Sequence, residues 1–233
     1  MSHIKRLTKE VGNYMKSFTT TAINDNEYII CLEDNGAYLY VNMSNITKLK
    51  ALVIGPSTTS YEDGFYVFDI NVVDTYPFEP PKVTHLTTDG RIRINPNLYG
   101  EGKVCLSILG TWAGPAWSSL MNVSIILNYL RMIMNEDPLR NEPGFSNPKT
   151  HLDKAQEYNE YVDHENMRFS ILTVHKNNLF PVFKTVIDEL FEKKKDKIIK
   201  KILDKKIEIP KKTINNNYGQ TVTLDWNKMM ELI

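Results

Sequence analysis

Cys105 lies in a stretch, RIRINPNLYGEGKVCLSIL (residues 91–109), whose residue types could perform thiol chemistry. The first four residues alternate polar with apolar, as in a half-buried strand, and Asn95-Pro96-Asn97 then forms a turn. Pro96 fixes its own φ and disfavours helix at the residue before it, while asparagine side chains can hydrogen-bond nearby backbone. Gly102 lets the chain turn or approach another segment closely. The pattern predicts a thiol held on a stiff surface loop.

Two chemical interpretations of Cys105 follow from its surroundings. It could be a small buried hydrophobe, which is what free cysteines commonly are. As a nucleophile it would have no activator nearby, because the segment has no CxxC pair and no histidine, the nearest being His85. An ordinary thiol, with a pKa of about 8.5, still keeps a few per cent thiolate at neutral pH, which suffices when the acyl group arrives as a thioester. The missing base therefore favours acyl transfer over hydrolysis.

Several motifs resemble the core of the ubiquitin-conjugating enzyme family. They are YPFEPPKV at 76–83, the NPN turn, GKVCLSIL at 102–109 and the Trp117 that follows. Most members have His-Pro-Asn where this chain has Asn95-Pro96-Asn97, and the segment GTWAGPAW is longer than usual. Both departures are features of the Z-type branch, which CLSILGTWAGPAW and the later NEPGF (141–145) also resemble.

The resemblance implies a function and a fold. Cys105 would accept ubiquitin, or a ubiquitin-like modifier, as a thioester from an activating enzyme and pass it to a lysine of a protein substrate, with or without a ligase. ATP would be used upstream, so no cofactor or metal is expected on this chain. The implied fold is α+β and UBC-like: an antiparallel four-stranded meander flanked by an N-terminal helix and C-terminal helices.

Two alternatives come from other functional classes. Some members of this fold lack the cysteine and only bind a modifier, although the intact GxxC loop argues against a catalytically silent binding module. A cysteine hydrolase would need a histidine at Cys105, for which His85 is the candidate.

Further site residues are assigned from the loop and the resemblance. Asn95, Pro96 and Gly102 would shape the loop. Asn97 could donate its amide to the oxyanion of the transfer step, or only brace the loop, and both roles stay open. The resemblance places Glu142 beside the thioester, where it would orient the amine or take its proton. The alternative for Glu142 is a solvated loop carboxylate.

Two surfaces are candidates for binding the activating enzyme and ligases. Phe78, in a proline-stiffened corner, is either an exposed anchor or a cap on the core, and the resemblance places it on the ligase-facing surface. The second loop of that surface reads Trp117-Ser118-Ser119-Leu120 instead of the family's Trp-Ser-Pro-Ala, which argues against ordinary RING or HECT recognition. The amphipathic helix at 2–18 docks on the core, and the resemblance assigns binding to its basic face, which carries Lys5 and Lys9.

Composition narrows the setting in which the 233-residue chain works. Its formal charge is zero, so net charge calls for neither nucleic acid nor an anionic membrane as partner. Two cysteines indicate a reducing compartment. The sequence shows neither a leader pattern nor a run long enough to span a membrane. We expect a cytoplasmic or nuclear protein.

The remaining pattern predicts the order of elements. Apolar runs at 28–32, 37–41, 49–54, 65–73 and 82–86 indicate an antiparallel meander, and residues 124–134 a buried helix. We expect a conjugating core at 1–160 and a helical, lysine-rich extension at 161–233 packed on it. Residues 184–212 hold eleven lysines against six acids, which predicts a helix with either a solvated basic face or a docking surface. Apolar residues after 221 should fold back onto the helices. His151, His164 and His175 are too widely spaced to form a recognisable metal site.

Overall fold

The computed structural model describes residues 2–233, apart from the side chain of Asn35, and divides them into two compact units. The first unit contains residues 2–54, 66–91 and 97–133, and the second contains residues 55–65, 92–96 and 134–233. The predicted boundary at residue 160 does not coincide with this division and stays a prediction.

The first unit begins with helix α1, His3–Ser17. Leu7 and Val11 are fully buried, as its apolar spacing predicts. Ile4, which shares this apolar spacing, is nevertheless 50% exposed, and Glu10 is only 7% exposed. A carboxylate on the inner face needs hydrogen-bonding partners, so α1 does more than supply apolar contact.

An antiparallel sheet follows, which confirms the predicted fold class. Its six strands lie in sequence order, so the number of four implied by the resemblance is wrong, whereas five of the six strands correspond to the five apolar runs. The additional edge strand, TTTA, pairs with the next strand although it lacks the apolar alternation by which strands are found in sequence. The strands are β1 (Thr19–Ala22), β2 (Glu27–Leu32), β3 (Ala37–Asn42), β4 (Lys48–Ile54), β5 (Phe65–Asn71) and β6 (Lys82–His85).

Helix α2, Val123–Met132, is the buried helix that the sequence predicts, and it ends two residues earlier than expected. Ile126, Leu127 and Leu130 have no exposed surface. Asn122 caps the helix, because its side-chain oxygen accepts a hydrogen bond from the N–H of Ile125 at 3.0 Å.

The second unit is built mainly from helices, but it ends in a hairpin that the helical prediction for 161–233 missed. Each of its two strands has five residues and buries only one of them, so the strand signal in the sequence is short. The C-terminal segment folds back as predicted, with Trp226 and Met229 almost fully buried. The elements are α3 (Leu152–Glu165), a π-helix (Asn166–Thr173), α4 (Val174–Lys176), α5 (Lys184–Glu208), β7 (Lys211–Asn215), β8 (Thr221–Asp225) and a final 3₁₀ segment (Trp226–Leu232).

The lysines in and just after α5 are largely paired within the second unit. At least eight of the eleven lysines at 184–212 form ion pairs with acidic side chains. Lys197, for example, lies 2.9 Å from both Glu62 and Asp63. The basic face is therefore neutralised locally rather than presented as a row of unpaired charges.

Within residues 2–233, every helix is too short or too polar to cross a membrane. The same residues contain no group of three or more His, Cys, Asp or Glu side chains arranged to hold a metal ion.

Candidate functional site

Cys105 and Asn97 are joined by two reciprocal hydrogen bonds in the first unit. The backbone N–H of Cys105 donates to the carbonyl oxygen of Asn97 at 2.9 Å, and Asn97 Nδ2 donates to the carbonyl oxygen of Cys105 at 2.7 Å. An antiparallel bridge between Leu98 and Val104 lies just inside this pair. The turn that the sequence predicts is therefore closed directly onto the cysteine.

Thr111 holds the cysteine segment from its other side. Its hydroxyl donates to the carbonyl oxygen of Val104 at 2.7 Å and accepts from the N–H of Leu106 at 3.0 Å. These are the residues on either side of Cys105, so one side chain brackets the thiol. Thr111 lies in the long segment GTWAGPAW and was not among the predicted site residues. The signal that could have found it is the tendency of threonine to hydrogen-bond local backbone.

Gly102 occupies a backbone position that favours glycine. Its φ is +94°, and a Cβ placed there would lie 2.9 Å from the carbonyl oxygen of His85. The backbone N–H of His85 in turn donates to the carbonyl oxygen of Gly102 at 2.8 Å. Gly102 thus lies where the chain approaches β6 closely.

The position of the thiol differs from the expectation of a surface site. Cys105 is 1% exposed, and its neighbours Val104 and Leu106 are also buried. The reason is that apolar residues on both sides of the cysteine pack inward together with it. Burial is what the hydrophobic interpretation of Cys105 predicts, and a carrier role requires the cover over Sγ to open.

His85 does not form a catalytic pair with the thiol in this structure. It is 1% exposed, and its ring lies 5.2 Å from the ring of Phe68 and 6.4 Å from that of Tyr66. Among residues 2–233 neither ring nitrogen has a hydrogen-bonding partner. Burial lowers the pKa of His85 to about 3, so the ring is neutral at physiological pH. This argues against the hydrolase alternative.

The geometry of Asn97 bears on its two candidate roles. The amide group is buried and one of its N–H groups is occupied by the carbonyl oxygen of Cys105. This is a loop-bracing bond. To serve an oxyanion, the amide would use its other N–H or rotate away from the backbone.

The first two residues of the predicted turn belong to the second unit. Asn95 is fully buried, and its Nδ2 donates at 2.8 Å to the hydroxyl of Tyr61, which itself donates to the carbonyl oxygen of Ile94 at 2.9 Å. The carbonyl oxygen of Pro96 accepts a hydrogen bond from Arg93 at 2.9 Å. Both residues take part in hydrogen bonds within the second unit, and their role in shaping the loop stays a prediction.

Glu142 also lies in the second unit, where its carboxylate is partly buried. The side chain is 24% exposed, and Oε2 lies 3.5 Å from Arg93 Nη2 and accepts a hydrogen bond from the hydroxyl of Tyr218 at 3.0 Å. These contacts contradict the alternative of a freely solvated carboxylate. The expected proximity of Glu142 to Cys105 stays a prediction.

The predicted ligase-facing loops present two apolar side chains to solvent in the first unit. Phe78 is 75% exposed, which rules out a cap on the core, and Leu120 is 86% exposed. Trp117 Nε1 donates to the carbonyl oxygen of Pro77 at 2.7 Å, so the two loops are fastened together. Ser118 is exposed and Ser119 half-buried on the second loop.

A groove of about 770 Å³ runs along this side of the first unit. Its lining includes Gly102, Val104 and Ser107, which flank the cysteine in sequence, together with Trp117. A flexible polypeptide chain could approach the cysteine loop through such a groove. On α1, the predicted binding residues Lys5 and Lys9 are both exposed.

Comparison with known proteins identifies the relatives of this chain. The model of the family described as "Ubiquitin-conjugating enzyme" matches residues 22–171, which is more than half of the chain. A solved E2 domain from Toxoplasma gondii has a TM-score of 0.51 at 21% identity, covering 71% of this chain and 97% of that one, and shows likeness of fold.

Curated relatives have higher identity. The protein "Ubiquitin-conjugating enzyme E2 Z" is 43% identical in Danio rerio and 42% identical in Homo sapiens, over 58% of this chain and 42% and 38% of theirs. "Probable ubiquitin-conjugating enzyme protein 17" of Caenorhabditis elegans is 35% identical over 84% of this chain and 26% of its own length. The chain thus spans about two fifths or less of the length of these proteins. Their identities confirm the predicted resemblance to the Z branch.

Proposed function

Since the chain belongs to the ubiquitin-conjugating enzyme family, we propose that Cys105 carries ubiquitin, or a ubiquitin-like modifier, as a thioester and delivers it to a lysine of a protein substrate. The observation that carries the proposal is the loop geometry. Cys105 lies in the family's GxxC motif and is fixed on both sides by Asn97 and Thr111. A positioned thiol without a histidine partner suits exchange between thioesters.

The first step is transthioesterification. The thiolate of Cys105 attacks the carbonyl carbon of the modifier's C-terminus, which is bound as a thioester to an activating enzyme. The new C–S bond forms as the old one breaks, and the activating enzyme's thiolate leaves. One thioester replaces another, so the step needs no energy source, nucleotide or metal on this chain.

The second step transfers the modifier to an amine. A lysine amine in water has a pKa of about 10.4, so at neutral pH the reactive neutral form is rare. Desolvation near the loop favours that form, and we assign Glu142 to orienting the amine or accepting its proton. Asn97 braces the loop, and we assign its side-chain amide to the oxyanion as a further role. The amine forms the new C–N bond as Cys105 leaves as a thiolate.

The burial of Cys105 sets a condition on both steps. A sulfur atom in a residue that is 1% exposed has to be uncovered before a macromolecule reaches it. The groove lined by Gly102, Val104 and Ser107 is where we place the opening. Binding of the activating enzyme would favour the open form, since a partner that binds one conformation better shifts the population toward it.

The test is a charging assay with activating enzyme, ATP and modifier. We expect an adduct on the wild-type protein that thiol reducing agents cleave. Cys105→Ser should give a more durable ester, because the oxygen ester is less reactive than the thioester. Cys31→Ser is the matched control, since Cys31 is the other thiol and lies half-buried on β2, and it should charge like the wild type.

Each alternative predicts a different outcome of this assay. A modifier-binding module gives no adduct, and a hydrolase releases free modifier rapidly. A thiol-sensitive adduct that persists in Cys105→Ser would contradict the assignment of the carrier residue. Because Z-type relatives are selective among activating enzymes, the assay should include several of them. We place the reaction in the cytoplasm or nucleus, where the thiol stays reduced.

A further inference from the structure

Arg93, Glu142 and Tyr218 form a closed cluster in the second unit. The guanidinium carbon of Arg93 lies 3.9 Å from the centre of the Tyr218 ring. The Tyr218 hydroxyl donates to Glu142 Oε2 at 3.0 Å, and Arg93 Nη2 lies 3.5 Å from the same oxygen. Each member thus contacts the other two, although Tyr218 lies far beyond Arg93 and Glu142 in sequence.

Tyr218 is presented by a rigid hairpin tip. The register of β7 and β8 ends at the pair Asn215 and Thr221, which leaves five residues in the turn. Inside the turn, Asn216 Oδ1 accepts from the N–H of Tyr218 at 3.1 Å and from that of Gln220 at 2.9 Å. A side chain that bonds its own turn fixes the turn in one shape. The ring of Tyr218 is therefore delivered in a defined direction.

Arg93 links the cluster to the turn that precedes Asn97. Its Nη2 donates to the carbonyl oxygen of Pro96 at 2.9 Å. Its own carbonyl oxygen accepts from the hydroxyl of Tyr158 at 3.0 Å, and the Tyr158 ring meets the Tyr218 ring edge-on at 6.1 Å. The guanidinium is thus held by backbone, carboxylate and aromatic contacts at once.

Burial keeps the hydroxyl of Tyr218 protonated and therefore able to donate. Burial is the largest cause that raises the pKa of Tyr218 well above its ordinary value; Arg93 lowers it, and the Glu142 charge raises it further. The hydroxyl therefore stays protonated at physiological pH. Both contacts to the Glu142 carboxylate use Oε2. For Oε1 the described residues provide no hydrogen-bonding partner, so this oxygen is free to accept from an amine.

We infer that Tyr218 is a positioning residue for amine transfer: it holds the carboxylate of Glu142 in one orientation through its hydroxyl and through Arg93. The inference rests on the proposed function, in which Glu142 orients the attacking amine or takes its proton. An unrestrained glutamate samples several rotamers, whereas two contacts on one oxygen keep the other aimed in a fixed direction. The C-terminal hairpin would then contribute to the transfer step without contacting the substrate.

The test separates charging from discharge. Tyr218→Phe removes the hydroxyl and keeps the ring over Arg93. We expect thioester formation at the wild-type rate and a discharge to free lysine that is slower by about tenfold, the effect of losing one hydrogen bond to a charged group. The loss should appear in kcat, with the KM for lysine nearly unchanged. Tyr28→Phe, which removes a hydroxyl bonded to Asp25 near β1, should discharge like the wild type.

A double-mutant cycle shows whether Tyr218 acts through Glu142. In a Glu142→Gln background, Tyr218→Phe should cause little further loss of discharge rate, because residues that act as a unit are not additive. If Tyr218→Phe discharges like the wild type, or lowers the rate equally in both backgrounds, the inference is overturned. If the wild-type protein forms no thioester at all, the proposed function fails instead, so the two failures are distinct.

Discussion

At the scale of single residues, the loop around Cys105 is held by hydrogen bonds from nearby side chains to its backbone. Asn97 and Thr111 direct three of their hydrogen bonds to the backbone of residues 104–106, so the thiol is positioned by side chains that bind its main chain. These three bonds hold the main chain and not Sγ. These contacts therefore position the thiol of Cys105 but do not activate it, because none of them replaces the missing base.

Replacing Thr111 tests this bracket. Thr111→Val keeps the shape of the side chain but removes the hydroxyl. The carbonyl oxygen of Val104 and the N–H of Leu106 then lose the hydrogen bonds that they make to it. We expect the free energy of unfolding to fall by about 1–2 kcal/mol, measured by urea denaturation, and charging to slow. Thr111→Ser retains the hydroxyl and should change the unfolding free energy by less than about 0.5 kcal/mol. Equal effects of both variants would contradict the bracket.

At the scale of elements, Glu10 connects three parts of the first unit. Its carboxylate accepts from the hydroxyls of Tyr14 at 2.8 Å and Tyr76 at 2.7 Å, and from the N–H of Val123 at 2.7 Å. It therefore joins α1 to the Tyr76–Pro81 corner and to the positive N-terminus of α2. Burial, followed by the Glu10 charge, raises the pKa of both tyrosines, which keeps them as donors.

Removing this carboxylate should destabilise the fold strongly. Glu10→Ala leaves three buried donors without an acceptor, so we expect a loss of about 3 kcal/mol or more in the free energy of unfolding by urea. Thr8→Ala, at an exposed position of the same helix, should stay within about 0.5 kcal/mol of the wild type. A Glu10→Ala protein as stable as this control would show that α1 is held by apolar contact alone.

At the scale of the whole molecule, the neutral formal charge conceals a local separation of charge. Residues 184–212 carry a balance of +5, since eleven lysines face six acids. Much of this excess meets carboxylates of the same unit, such as Glu160 and Asp163. These pairs are still partly accessible to solvent and contribute modest stability each, so we attribute the position of α5 mainly to buried residues such as Phe191 and Ile202.

The stability of the whole molecule should depend on pH through His85. Its pKa is about 3 when folded and about 6.5 for an unperturbed histidine, so between these values the unfolded chain binds more protons. The contribution of His85 to the free energy of unfolding is complete above pH 6.5 and declines as the pH falls. Between pH 6.5 and 4.5 the loss from this residue should be about 2–3 kcal/mol.

His85→Phe removes this proton-binding site while retaining an aromatic ring. Between pH 6.5 and 4.5, the difference in unfolding free energy between wild type and variant should therefore change by about 2–3 kcal/mol. The change should favour the variant at low pH. Urea denaturation at a series of pH values provides the measurement. A pH-independent difference would mean that the buried ring is protonated in the folded protein or accessible to water.

The family, the cysteine loop and most of the sheet follow from the sequence by itself. The NPN turn, Gly102 and the alternating strands are signals carried by residues close together in the chain, so local stereochemistry is enough to read them. For Phe78 the sequence left two alternatives, an exposed anchor and a cap on the core, and the structure shows the side chain exposed. Edge strand β1 and the C-terminal hairpin were not predicted, because these strands are short and bury at most one residue each, so only their pairing partners identify them.

Only the tertiary structure decided the burial of Cys105, the carboxylate cluster of Glu10 and the contacts of Glu142. Burial depends on which segments cover a residue, and no local pattern around Cys105 encodes its cover. Glu10 and Val123 are 113 residues apart, and Glu142 and Tyr218 are 76 apart. Such contacts form because packing brings distant segments together, where a partner's chemistry, and not its position in sequence, determines the interaction.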